Sequence, residues 1–399
     1  MIDLRAARAE PEKWRAALAR KGAAEAFDRL LAADERWRSL VPEVDELRAR
    51  TKLKGKPTPE QLEELQGVKE QLRRAEEALA EAEQERDAAL AEVPNPPDDS
   101  APDGDSEDDA VELRRFGDQP QLEDVREAVD IGRFDVERAT RLSGARFGYL
   151  IGDTALLALA VYRLGIARVS RAGFLPVLPP VLVREEAMVG TGFFPTERAN
   201  IYALEADDLY LTGTSEVALA GLHMGEILEA DDLPARYCGF STCFRREAGA
   251  AGKDTRGMFR VHQFNKVEMF VFTTPDASGE EHDRMVALEE ELLQALGLPY
   301  RAVNVAAGDL GAPATKKIDL EAWFPSQERY REVTSCSNTT DFQARRLGIR
   351  YRGERGLETP HTLNGTVVTD RVVLAILENF QGEVPEVLRE HGAPPRIER

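Results

Sequence analysis

Two apolar stripes, each stepping by three and four residues, bound what the first quarter of this chain can become. In the first, Phe27, Leu30, Trp37, Val41 and Val44 recur at that spacing, with Asp34 breaking the row. In the second, Leu65, Val68, Leu72, Ala75, Leu79 and Ala82 keep it throughout. A 3.5-residue repeat holds one narrow seam of a helix against a partner, so each segment is predicted to be half of a coiled coil, with helices at about 27–50 and 59–92. Gly55, Pro57 and Pro59 mark the turn between them, and Thr58 stands where an N-cap belongs. Helices joined by so short a turn must run antiparallel. The second, ~34 residues long, would reach ~50 Å. Pro42 is expected to kink the first.

The tip of this hairpin reads Arg48, Arg50, Lys52, Lys54, Lys56 with no acid among them. A basic patch on a projecting arm is an electrostatic footprint for a polyanion. The competing reading is solvated charge on an arm that merely self-associates. The whole chain is acidic, at −20 from 52 basic and 72 acidic residues. Phosphate binding is driven by Lys and Arg, so any nucleic-acid contact has to be local.

Pro94, Asn95, Pro96 and Pro97 stop the second helix, and seven acids without a base follow between Asp98 and Asp109. The composition divides the chain into an N-terminal domain with the arm (1–94), a mobile acidic linker (95–110) and a larger domain (111–399). Charges throughout Met1 to Arg20 exclude a secretory signal. No apolar run approaches the ~20 residues of a membrane span, which places the chain in the cytoplasm with no membrane partner. Three cysteines, Cys238, Cys243 and Cys336, form no CxxC pair, so buried thiols are expected rather than disulfides or a structural zinc.

From 111 onward helical stretches (155–171, 215–228, 282–296) interleave with strand-like runs (209–212, 267–272, 317–323, 330–334). Regular crossover helices do not separate the runs. The pattern predicts an α+β fold on an antiparallel sheet rather than a doubly wound parallel one.

The stretch from Phe244 to Phe264, FRREAGAAGKDTRGMFRVHQF, carries the chemistry. Arg245, Arg246 and Glu247 precede a loop with Gly249, Gly252 and Gly257, and Arg260 and Phe264 come after it. Two strands so joined can aim several guanidiniums at one ligand. Arg binds phosphate bidentately and keeps its charge, and Phe264 offers a flat face to a base. A surface hairpin with scattered charge is the bland alternative.

These residues resemble motif 2 of class II aminoacyl-tRNA synthetases, in the form found in seryl-tRNA synthetases. Other segments agree in order. GFLPVLPPVLV (173–183) is similar to motif 1, whose proline, here Pro180, lies at the dimer interface. Thr214-Ser215-Glu216 resembles the TxE loop. YREVTSCSN (330–338) resembles the strand that holds metal and ATP, and LNGTVVTDRVVLAILENFQ (363–381) resembles motif 3. The likeness runs over essentially the whole chain, the arm included.

The resemblance implies the roles. Arg245 would hold the ATP α-phosphate and the substrate carboxylate, and Arg246 is part of the same ATP motif. Glu247 would read the adenine amino group, Val261 would touch ATP through its main chain, and Arg260 would take the γ-phosphate. Phe264 would lie under adenine with Arg371 on the opposite face. Glu332, Val333, Thr334 and Ser335 would line the phosphates, Glu332 and Ser335 with Mg²⁺. Thr214, Ser215, Glu216, Glu268, Asn364 and Thr366, with Arg245, would form the serine pocket, and Arg48, Arg50, Lys52, Lys54 and Lys56 would meet tRNA. Arg245, Glu332 and Arg371 would carry catalysis.

The implied enzyme is a homodimeric ligase that joins L-serine to ATP and then to serine tRNA, with selenocysteine tRNA a second candidate. Adenylate formation builds charge on phosphoryl oxygens and asks little of a general base, so fixed cations suit it. Thr366 can bond the substrate hydroxyl. A site built around a hydroxyl rejects an analogue lacking it by ~10⁴-fold or more.

His262 is expected to position rather than to act as a base. Asp319 and Glu321 alternate on one strand and are either metal helpers or ordinary surface acids. Three other readings compete. A prolyl or threonyl enzyme would append an anticodon-binding domain, where only 18 residues follow Gln381. A ligase loading a carrier protein would lack the arm. A dead paralogue would not need Arg245, Glu247, Glu332 and Arg371 together.

Overall fold

A computed structural model describes residues 1–52, 58–248 and 257–398. Lys54, Lys56, Gly55 and Pro57 of the arm tip, and Gly249 and Gly252 of the motif loop, lie outside the described residues. The chain divides into two units, Met1–Pro96 and Pro97–Arg399.

In the first unit two long helices, Ala24–Thr51 and Pro59–Glu92, form the arm. Val44 and Leu47 of one bury against Val68 and Ala75 of the other, with Leu72 and Leu79 beside them. The seam is the stripe read from the sequence. Thr58 caps the second helix in a reciprocal box: its hydroxyl accepts from the Gln61 amide at 3.3 Å while the Gln61 side chain accepts from the Thr58 amide at 2.9 Å. The first helix continues through Pro42. Asp34, which breaks the stripe, is buried, and Arg38 Nε donates to it at 2.8 Å. Paired in this way, the acid can occupy a seam position.

The second unit is built on one eight-stranded sheet. Its strands are β1 (Val111–Phe116), β2 (Leu175–Val177), β3 (Ala235–Phe244), β4 (Gln263–Thr273), β5 (Tyr300–Asn304), β6 (Lys316–Phe324), β7 (Arg329–Thr340) and β8 (His361–Thr369), in the order β1-β5-β6-β7-β8-β4-β3-β2. All neighbours are antiparallel except β2 with β3. The sheet therefore has the α+β character expected of chain-adjacent strands without crossover helices. Helices Asp153–Arg171, Ser278–Ala295 and Asp370–Phe380 cover one face and bury the main apolar cluster. Gly365 of β8 is needed for that packing, because a Cβ there would come within 2.8 Å of Glu289 Oε1 and 2.9 Å of Met285 Cε.

Two sequence expectations are corrected. Residues 215–228 are not one helix. They form a short helix, Glu216–Ala220, a 3₁₀ turn, Gly221–His223, and a strand, Ile227–Glu229. Gly225, at φ +76°, turns the chain between the last two. The acidic segment is also not a loose connector. Ala101 is buried with Val305, Ala307, Leu310 and Ala314, and the amides of Ala307 and Gly308 donate to Pro102 and Gly104 at 2.8 Å. Its acids brace the turns, Asp98 accepting from the Ser100 amide and Asp109 from those of Asp105 and Ser106.

Candidate active site

The open face of the sheet carries two adjoining cavities, of about 570 Å³ and 90 Å³. Arg245, Glu247, Arg260, Lys266, Glu332 and Ser335 line both. Strand alternation explains the assembly: Lys266 and Glu268 on β4, Asn364 and Thr366 on β8, and Ser335 and Ser337 on β7 are each two residues apart and so share a side. Register then sets neighbours, with Glu268 opposite Thr366 and Asn364 opposite Ser337.

The smaller cavity gathers Arg245, Arg260, Arg371, Phe264, Val261 and Phe259. Arg245 Nε donates to the Gly213 carbonyl at 3.1 Å, and its guanidinium carbon stands 5.3 Å from the Phe264 ring. A side chain on Gly213 would crowd Arg245 Cγ at 3.3 Å. Arg371 donates to the Glu332 carbonyl at 3.0 Å and to its carboxylate at 3.2 Å, and lies over Phe259 at 4.5 Å rather than over Phe264. Arg260 donates to Glu247 at 2.6 Å. Glu247 sits at φ +52°, a left-handed conformation costly for a non-glycine residue. His262 Nδ1 donates to the Arg245 carbonyl at 2.9 Å and its ring packs on Phe147, so it fixes the backbone that aims Arg245. Surroundings that desolvate Glu332 would raise its pKa. Lys317, then Arg371 and Arg245, outweigh this and hold it below the ordinary carboxylate value.

The larger cavity is lined by Thr214, Glu216, Glu268 and Asn364 among others. Glu216 is buried. Its Oε1 accepts from Gln343 Nε2 at 2.7 Å and Asn364 Nδ2 at 3.0 Å. Burial first, and the charge of Glu268 second, push its pKa up to about 7. Lys266 Nζ pairs with Glu268 Oε2, which also accepts from the Thr366 hydroxyl at 3.4 Å.

Sequence reading and structure diverge at named residues. Ser215 lines neither cavity: its hydroxyl bonds Ser241 at 2.7 Å. The Arg246 side chain stands over Tyr202 at 5.6 Å, also outside both cavities. Thr366 lines the smaller cavity, with Val333 and Thr334. Glu321 accepts from Arg301 Nε at 2.5 Å, and Asp319 pairs with Lys317 at 3.0 Å. Pro180 is exposed, beside Leu178, which is 83% exposed. The three cysteines are free and buried. Sequence reasoning passed over Lys266, Lys317, Phe259 and Gln343. Two of these carried a signal, since Lys266 precedes Glu268 and Lys317 precedes Asp319 by one strand period.

A group of three or more His, Cys, Asp or Glu placed to hold a metal is absent among the described residues. Glu332 and Ser335 line both cavities from one strand. One carboxylate and one hydroxyl suit Mg²⁺, which takes few protein ligands and completes its shell with substrate phosphates and water.

This fold and site define the class. Residues 201–380 match the tRNA synthetase class II core domain (G, H, P, S and T) and residues 1–97 match the seryl-tRNA synthetase N-terminal domain. Similar proteins include the serine–tRNA ligase of Acidothermus cellulolyticus, 48% identical over 98% of each chain, and that of Thermobifida fusca, 49% identical over 98% of this chain and 97% of the other. A seryl-tRNA synthetase from Pyrococcus horikoshii, solved in complex with ATP, superposes at a TM-score of 0.93 with 38% identity, covering 100% of this chain and 99% of that one. The chain belongs to the seryl-tRNA synthetase family.

Proposed function

We propose that this protein is a serine–tRNA ligase that forms seryl-adenylate and pyrophosphate from serine and ATP and then esterifies serine onto the terminal adenosine of serine tRNA. The convergence of Arg245, Arg260 and Arg371 with Phe264 in one cavity, adjoining a polar cavity lined by Thr214, Glu216, Glu268 and Asn364, carries this reading.

The smaller cavity takes the adenine end of the nucleotide, and the phosphates run toward the larger one along Arg245, Arg260, Glu332 and Ser335, which line both. Adenine lies between Phe264 and the Arg371 side, with Glu247 and the Val261 main chain reading its edge. Arg245 holds the α-phosphate and Arg260 the γ-phosphate. Arg371 is held on Glu332, and both groups are restrained before substrate arrives. Serine enters the larger cavity with its ammonium toward Glu216, Glu268 and Thr214 and its hydroxyl toward Asn364 and toward Thr366, which lines the smaller cavity and bonds Glu268. A carboxylate oxygen of serine attacks the α-phosphorus and pyrophosphate leaves. Arg245 offsets the charge that builds on the phosphoryl oxygens. A ribose hydroxyl of tRNA then attacks the seryl carbonyl, and AMP departs. Glu332 and Ser335 would hold Mg²⁺, whose charge would offset that of the ATP phosphates. Val333 and Thr334 line the phosphates from the same strand.

We place tRNA on the arm at Arg48, Arg50, Lys52, Lys54 and Lys56, where local positive charge can bind phosphate on an otherwise acidic protein. The same reading makes the protein a homodimer joined around Pro180, near which Leu175 and Leu178 are 61% and 83% exposed. It also makes it cytoplasmic. No helix among the described residues is long and apolar enough to cross a membrane. The test is charging: labelled serine should become tRNA-bound with ATP and Mg²⁺. Equal charging of threonine or alanine, or none of serine, would overturn the reading.

A further inference from the structure

The floor between the two cavities is held by a cation that neither the adenylation chemistry nor the serine pocket employs in the proposed reaction. Lys266 is 6% exposed and Glu268 1% exposed, and they form an ion pair on one side of β4. Lys266 Nζ also lies 3.5 Å from the Thr366 hydroxyl. Its side chain lines both cavities, whereas Glu268 lines only the larger.

Charge balance in a buried site limits how a substrate can enter. An isolated buried charge is strongly unfavourable, so Glu268 needs a counter-ion whenever it is ionised. Serine arrives as a zwitterion. Its ammonium can replace Lys266 on Glu268, but Lys266 then needs an anion in its turn. The substrate supplies one, its carboxylate, which must cross from the larger cavity toward the smaller to reach the α-phosphate. Lys266 stands on that line.

We propose that Lys266 is an exchangeable counter-ion: it neutralises Glu268 in the free enzyme, yields that carboxylate to the substrate ammonium, and takes the substrate carboxylate beside Arg245. It is thereby a binding residue for the reacting group, and its pairing with Glu268 makes the empty pocket discriminate for zwitterions over simple amines. This rests on assigning the larger cavity to serine.

Serinamide separates the two roles, because it keeps the ammonium and hydroxymethyl group and lacks the carboxylate. Calorimetry on the full-length protein would compare serine and serinamide in wild type, Lys266→Gln and Lys266→Arg. Lys266→Gln is expected to weaken serine ~10- to 100-fold, the range for a lost charged hydrogen bond. It should leave serinamide binding equal or tighter, since no resident cation then competes for Glu268. Lys266→Arg should restore the preference for serine, and ATP binding should persist in all three. Equal weakening of both ligands would make Lys266 a structural partner of Glu268 and overturn the proposal.

Should Lys266→Gln not fold, the wild-type protein crystallised with a seryl-sulfamoyl adenosine decides. Nζ on an acyl or sulfonyl oxygen of the analogue supports the exchange, and Nζ still on Glu268 overturns it. If wild-type protein binds serine no better than alanine, the assignment of the cavity fails instead.

Discussion

Gln343 touches no expected substrate, yet the structure makes it answerable for the shape of the amino-acid cavity. It is fully buried. Its Nε2 donates to Glu216 Oε1 at 2.7 Å and to the Thr191 carbonyl at 3.2 Å, while its Oε1 accepts from the Thr362 hydroxyl at 2.9 Å and that of Thr339 at 3.3 Å. All four bonds fix the amide in one orientation, and so fix one Glu216 oxygen on the protein side. Gln343→Leu preserves volume and removes all four. Loss of a hydrogen bond to an ionisable carboxyl costs about 1.5–3 kcal/mol, which is about 10- to 150-fold in kcat/KM for serine. Asn364 still holds the same oxygen at 3.0 Å, so the lower half of that range is expected. Thr339 and Thr362 remain bonded to each other, which confines the loss of stability to about 1–3 kcal/mol. The assay is serine-dependent ATP–pyrophosphate exchange with serine and ATP varied separately. The defect should fall on serine and leave KM for ATP unchanged. A folded variant with wild-type serine kinetics, or with equal defects toward both substrates, would refute the reasoning.

Arg245→Ala should abolish exchange while the protein still melts cooperatively, because the guanidinium faces both cavities from a backbone held by His262; near-normal exchange would mean that the α-phosphate is held elsewhere. Neutralising Arg50, Lys52 and Lys54 together should weaken tRNA charging and flatten its salt dependence, with exchange unaltered; unchanged charging kinetics would remove the arm from recognition. Burial, and then the charge of Glu268, push Glu216 up to about 7 in the free protein, so it is mostly protonated at pH 6 and mostly ionised at pH 8. An incoming ammonium favours the ionised form. Serine binding should therefore release close to one proton at pH 6 and almost none at pH 8, with affinity rising through this window and levelling above it. Calorimetry in buffers of different ionisation enthalpy measures the count, and a count independent of pH contradicts the assignment.

The arm was legible because a coiled-coil seam is a one-dimensional pattern. The spacing of Val44, Val68 and Ala75 and the Thr58 cap require no tertiary information. The runs 267–272, 317–323 and 330–334 were legible as strands for the same reason, though their ends were not: β7 runs to Thr340, well past the apolar stretch, because its outer half carries the polar residues of the site. Residues 215–228 were read as one helix, but Gly225 at φ +76° turns the chain before the strand Ile227–Glu229. The acidic segment misled because like charges suggest mobility, whereas its acids cap turns and Ala101 is buried. Within the site, alternation on β4 already put Lys266 beside Glu268. Gln343 gave no sign, since it reaches Glu216 across 127 positions of sequence only after β8 and its neighbours have assembled. Arg246 and Ser215 were drawn in by motif adjacency, but their side chains take partners outside the cavities, Tyr202 and Ser241.

One pairing carries the function, a triphosphate among three guanidiniums beside a pocket that recognises a hydroxymethyl group. Exchange of labelled pyrophosphate into ATP, run with each of the twenty amino acids in turn, tests it most directly. Serine alone should drive exchange strongly, with alanine lower by ~10⁴-fold or more because it leaves the pocket's hydroxyl-binding groups unpaired. Strong exchange with a different amino acid, or none with serine, would contradict it.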